Sequence, residues 1–109
     1  MFAFEIPGTR FSLPAGGDVE RYRFVSANAE SNGIKATADT KIIGVSMNQV
    51  KAGEVLEIAD GIVMVEAGAA ITAGAAVTSN AEGKAVAGEG TCVALTGATS
   101  AGEIITIKF

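Results

Sequence analysis

Between Ile42 and Phe109 the chain writes nearly the same line twice, and this repetition limits its folds more than any other feature. The first copy, residues 42–58, contains Gly44-Val45-Ser46-Met47, a short polar loop, Ala52-Gly53-Glu54 and Val55-Leu56-Glu57-Ile58. The second, residues 91–109, contains Val93-Ala94-Leu95, a slightly longer loop, Ala101-Gly102-Glu103 and Ile104-Ile105-Thr106-Ile107. Each copy predicts strand, turn, strand, with glycine where the backbone needs a positive φ. Period-two alternation sets Val45, Met47, Leu56 and Ile58, with their counterparts Val93, Leu95, Ile105 and Ile107, facing into one core. A slip of a single residue would turn every one of them outward.

The rest of the chain carries turn signals at similar spacing. Asp60-Gly61 lies between the apolar runs Val55–Ile58 and Ile62–Val65 and predicts a tight hairpin, as does Asn32-Gly33 before Ile34. Glu20 to Val25 alternates, with Tyr22 and Phe24 on one side and Arg21 and Arg23 on the other. Ala67-Gly68-Ala69-Ala70-Ile71-Thr72 is followed at once by Ala73-Gly74-Ala75-Ala76-Val77-Thr78. A six-residue period is shared with β-helices, but two rungs cannot bury a solenoid core. Short strands or bulged turns are the simpler reading, and the β-branched residues oppose a helix. Ser79 to Lys84 forms a turn into Ala85-Val86-Ala87. The pattern predicts about eight short strands in an all-β domain, a small barrel or sandwich. The chain reads as a single domain, with the β unit over residues 21–109.

Residues 1–20 differ from that unit. Phe2, Phe4, Ile6, Phe11 and Leu13 are large apolar residues interrupted by Pro7-Gly8 and Pro14-Ala15-Gly16-Gly17. Proline and glycine at this density disfavour a helix or an interior strand and predict an extended N-terminal arm. Of two courses open to it, the first is the expected one, with the 42–109 unit folding without the arm. It can reach to another molecule, with Arg10, Arg21 and Arg23 offering forks to carboxylates, or it can lie as an edge strand on its own sheet. On the first course, Phe2, Phe4, Ile6, Arg10, Phe11, Leu13, Arg21 and Arg23 are the candidate contacts with a partner or a second copy.

Composition narrows the chemistry. Histidine is absent from the 109 residues, which removes the commonest general base, His-activated nucleophiles and most zinc sites. Glu54 with Glu57, and Glu66 with Glu82, read as solvated surface charge. Gly88-Glu89-Gly90 and Gly83-Lys84 are fragments without the glycines that complete a nucleotide loop. No catalytic, metal or cofactor site is predicted. The net charge is −4, and residues 42–109 carry three basic against seven acidic side chains, so a nucleic-acid surface is not expected. Cys92, the single cysteine, sits in an apolar run and reads as a small buried hydrophobe. Neither a signal peptide nor a membrane-spanning run is recognisable, and the expectation is a soluble intracellular product.

Taken together, certain residues resemble a known family. Leu13-Pro14-Ala15-Gly16-Gly17-Asp18, Tyr22-Arg23-Phe24-Val25, Ile43-Gly44-Val45 and the two Ala-Gly-Glu turns are similar to the capsid decoration, or head cement, proteins of tailed phages. So are Asp60-Gly61, the run from Val65 to Gly74, the Gly83 turn and the closing strands. The resemblance implies a small β-rich protein on the outer surface of a phage head, bound to the major capsid protein. It implies a homotrimer at threefold or quasi-threefold positions, bracing the shell against packaged DNA. The protein would be made in the host bacterial cytoplasm and end in the virion. No catalytic residue comes with the resemblance. The alternative is a glycan- or protein-binding β module on a virion or cell surface. A lipoyl-like carrier would need a displayed lysine, and Lys84 is the sole loose match.

Overall fold

The computed structural model describes residues 3–109, and all its regular structure is strand. The strands are β1 (Ile6–Pro14), β2 (Phe24–Ala27), β3 (Gly33–Lys35), β4 (Gly44–Ser46), β5 (Val55–Glu66), β6 (Ala76–Ser79), β7 (Ala85–Ala87), β8 (Cys92–Ala94) and β9 (Ile104–Lys108). One curled antiparallel sheet holds them in the order β3-β2-β4-β5-β9-β8-β6-β7, with β1 added alongside β5.

The sheet consists of two halves with the same wiring. In the first, Leu13 pairs with Leu56 and Pro14 with Val55; in the second, Val65 pairs with Ile105 and Glu66 with Ile104. Phe24 pairs with Val45 as Ala76 does with Val93. Isolated bridges match as well, Val19 with Val50 against Ile71 with Ala98, and Ala15 with Gly33 against Ala67 with Ala85. The last pair curls each half until its outer strand meets the end of its first. The Ala-Gly-Glu turns also correspond, with Gly53 at φ 86° and Gly102 at φ 95°. Even side chains repeat: Asn28 Oδ1 accepts from the amides of Glu30 and Asn32, and Asn80 Oδ1 from those of Glu82 and Lys84. The repeat read in residues 42–58 and 91–109 is therefore the tail of a longer one, residues 13–58 against 65–107.

β5 belongs to both halves, which corrects one expectation. Asp60-Gly61 does not turn the chain, and β5 runs straight through it for twelve residues. Gly61 has φ 87°, and the register of β1 against β5 shifts there, between Pro7 and Arg10. A Cβ on Gly61 would lie 2.5 Å from the Gly8 nitrogen. Asp60 Oδ1 accepts from the Thr9 amide at 2.8 Å, so the pair stabilises a bulge with the opposing strand instead of a hairpin. Its apolar flanks suited both outcomes; the presence of β1 decided. At Asn32-Gly33 a hairpin does form, but its loop is residues 28–32 and the pair stands at the exit.

Two registers also differ from expectation. Val45, Leu56, Ile58, Ile105 and Ile107 are buried as predicted, and Met47 is half-buried. Val93, however, is 41% exposed, Leu95 is half-buried, and Cys92 and Ala94 fill the core. The cysteine's burial pushes its thiol pKa up to about 11. The other slip lies before β2. Tyr22 has φ 66°, outside the extended region of a regular strand, so Glu20 to Arg23 forms a turn and the strand begins at Phe24.

The interior forms two adjoining clusters, not one. Leu56 and Ile58 join Ala15, Val19, Val25 and Val50, with Phe11, Leu13 and Ile43 against them. Val45, Ile105 and Ile107 belong to the other, with Phe24, Val63, Val65 and a set of alanines. Phe24 meets Phe109 edge to face at 6.4 Å.

Candidate functional site

Within the arm, Ile6–Pro14 is β1, laid along β5 of its own chain, so this stretch lies as a strand on its own sheet and not away from residues 42–109. Of the candidate contacts, Phe11 and Leu13 are half-buried against the first-half cluster. Arg10 faces Glu57 at 3.9 Å, both largely exposed. Phe2 falls outside the described residues. Phe4 and Ile6 are 40% and 63% exposed. Phe4 is fixed by its backbone, whose amide donates to Thr106 Oγ1 at 2.6 Å while its carbonyl accepts from the same hydroxyl at 2.8 Å.

Register places the exposed apolar residues of the arm in a wider surface. Ile6 pairs with Ile62, Ile62 with Lys108, Lys108 with Val93, and Val93 with Ala76. Directly paired residues point to the same side of a sheet. This row therefore crosses five strands on the face opposite the core, with Ile6 and Val93 open to solvent and Ile62 half-buried. Ile6 is among the residues that sequence reasoning singled out. That reasoning missed Val93, because the apparent match to Val45 assigned that residue to the core.

The remaining candidates lie where the halves meet. Arg23, with a side chain 12% exposed, reaches Glu66 at 3.4 Å and Glu20 at 3.8 Å. Lys84 holds Glu66 at 3.1 Å and Lys35 holds Glu20 at 3.2 Å, completing a chain of five charges across the junction. Burial of Glu20 opposes its ionisation, but Lys35 and Arg23 outweigh it and hold the pKa below the usual carboxylate range. The Phe24 amide donates to the Gly83 carbonyl at 2.7 Å beside this chain. Arg23 is thus tied up within its own molecule, and Lys84 is an ion-pair member rather than a displayed carrier lysine. Arg21 is exposed, its guanidinium 4.7 Å from the centre of the Tyr22 ring.

Among the described residues, the surface hollows are shallow and bring together short sets of polar and charged side chains. One of them is lined by Asp18, Glu20, Gln49, Lys51 and Glu54 with Val19 and Val50. Such an arrangement suits a β module that acts by surface contact. The phage cement protein family model matches residues 7–109, and the chain belongs to that family. The fold is also that of the head fiber gp8.5 N base of bacteriophage phi29, at TM-score 0.75 and 21% identity over 92% of each chain. No curated protein matches the chain. The chain is accordingly a structural protein of phage heads.

Proposed function

We propose that this protein binds the outer surface of a tailed-phage head, on the major capsid protein, and stabilises the shell without any catalytic step. Membership of the cement family over residues 7–109 is the observation that carries the reading. The exposed apolar side chains of Ile6 and Val93, on either side of Lys108, and of Phe4 support it by offering surface whose burial on docking would be favourable. Phe4, Ile6, Arg10 and Arg21 are the exposed arm and turn residues that serve as contacts, Arg10 from its exposed pair with Glu57. Phe11, Leu13 and Arg23 act behind them by holding β1 and the junction in place. The assembly is a homotrimer at threefold or quasi-threefold positions, where many weak contacts across a symmetric shell act together. Incubating the purified protein with undecorated heads and imaging them by electron cryomicroscopy tests this. Trimeric density at threefold positions is expected, together with heads that resist heat to a higher temperature. Bare heads, or single copies away from any threefold, would overturn it.

A further inference from the structure

The two halves allow each loop to be compared with its structural twin. The loop after Val19 is Glu20-Arg21-Tyr22-Arg23, and the loop after Ile71 is Thr72-Ala73-Gly74-Ala75. Both are bounded by the same contacts. Val19 bridges Val50 as Ile71 bridges Ala98, and the Tyr22 amide donates to the Ser46 carbonyl as the Gly74 amide does to that of Ala94. Both central residues have positive φ, 66° at Tyr22 and 90° at Gly74. The fold therefore needs no more than Thr-Ala-Gly-Ala here, with glycine where φ is positive. In the first half that glycine place is taken by tyrosine, a residue that meets steric opposition in this conformation. Glu20 and Arg23 are accounted for by the ion pairs at the junction, whereas Arg21 and Tyr22 are not.

Arg21 also differs from the other arginines. Among the described residues no carboxylate lies within ion-pair distance of it, while Arg10 and Arg23 both have partners. Its guanidinium lies over the Tyr22 ring, which orders the long side chain before any partner arrives. The neighbouring chain of charges sets Arg23, Lys35 and Lys84 against Glu20 and Glu66, one positive charge more than negative, while Asp18, Lys51 and Glu54 line the adjoining hollow. Tyrosine and arginine are the residue types that most often anchor interfaces.

We propose that Arg21 and Tyr22 form a preordered anchor for a carboxylate-bearing protein surface, displayed from a turn that would be more relaxed with glycine. This rests on the functional reading above and names the partner chemistry of that surface, an Asp or Glu side chain of the shell. Its carboxylate meets the guanidinium as a fork while the phenol ring supplies apolar contact at the side. A sugar is a poorer fit, because the guanidinium covers the ring at stacking distance.

The full chain and its Tyr22→Gly and Arg21→Ala variants are compared for thermal melting and for binding to undecorated heads. Both variants are expected to melt within a few degrees of the parent, since Gly74 shows that this turn forms with glycine. Both are expected to bind heads at least about tenfold more weakly, as loss of an anchor residue does. Raising salt from about 50 to 500 mM should weaken the parent more than Arg21→Ala, because screening acts on the pair that variant lacks. If the parent decorates heads and both variants do so equally well, the anchor lies elsewhere and the functional reading stands. If the parent leaves heads bare, that reading itself fails. A fall in melting temperature of more than about ten degrees in Tyr22→Gly, well over 1 kcal/mol in a domain this size, would make Tyr22 structural and overturn the proposal. So would binding that ignores salt and is competed by free sugars.

Discussion

Asn28 and Asn80 do the same work in different places, each holding two amides of a loop through one side-chain oxygen. Asn28→Ala and Asn80→Ala should therefore cost similar amounts, about 1 kcal/mol each, in urea denaturation. Gly61 is a harsher case, with φ 87° and a backbone nitrogen in the space a methyl group would need. Gly61→Ala should lose about 1–3 kcal/mol from its backbone conformation alone, with further loss from separation of β1. Glu103 gives a pH dependence. Its carboxylate accepts from the hydroxyl and amide of Thr99 and from those of Ser100, which lowers its pKa from the ordinary 4.5. A carboxylate with a depressed folded pKa contributes stability above its unfolded value, and that contribution is lost as pH falls through the folded one. Glu103→Gln should thus narrow the stability difference between pH 7 and the region below 4.5, measured by urea midpoints across that range.

At the scale of strands, Leu56 and Ile105 are structural counterparts at 0% exposure in different clusters. Leu56→Ala and Ile105→Ala should each cost about 2–5 kcal/mol, whereas Val93→Ala, at an exposed site, should stay within about 0.5 kcal/mol. The all-β class, most turns and most of the core were legible in the sequence because alternation and glycine placement report them directly. The full repeat was not. Pro14-Ala15-Gly16 and Glu66-Ala67-Gly68 share little beyond Ala-Gly, yet the amides of Gly16 and Gly68 donate to matching carbonyls, those of Gly33 and Ala85. Backbone bonds conserve a path without conserving side chains, so a reader of residues sees only the stretches where both agree. The same blindness misassigned Asp60-Gly61, whose outcome depended on a strand fifty residues earlier. Of the proposed contact residues, the apolar ones of the arm stand out in the sequence, whereas the strained turn at Tyr22 has no signature there.

For the whole molecule, the sharing of β5 matters most. Neither half has a complete set of strands without it, so the two clusters should be lost together. Fluorescent reporters placed in each half should give coincident urea transitions, and calorimetric and van't Hoff enthalpies should agree; separated transitions would mean that the halves are independent. The Cα radius of gyration, 12.5 Å, suits one cooperative body of this length. One further property follows from the register at Ile62, which has Ile6 on one side and Lys108 on the other. With strands spaced just under 5 Å, those two positions stand about 10 Å apart. A tether fused ahead of Ile6 and one fused after Lys108 would leave from neighbouring positions but in opposite directions, since Phe4 lies back over Thr106 while Phe109 runs on to Gly61. A short bridge between them, with the chain reopened at residues 88–91, should yield a circular permutant with the same sheet.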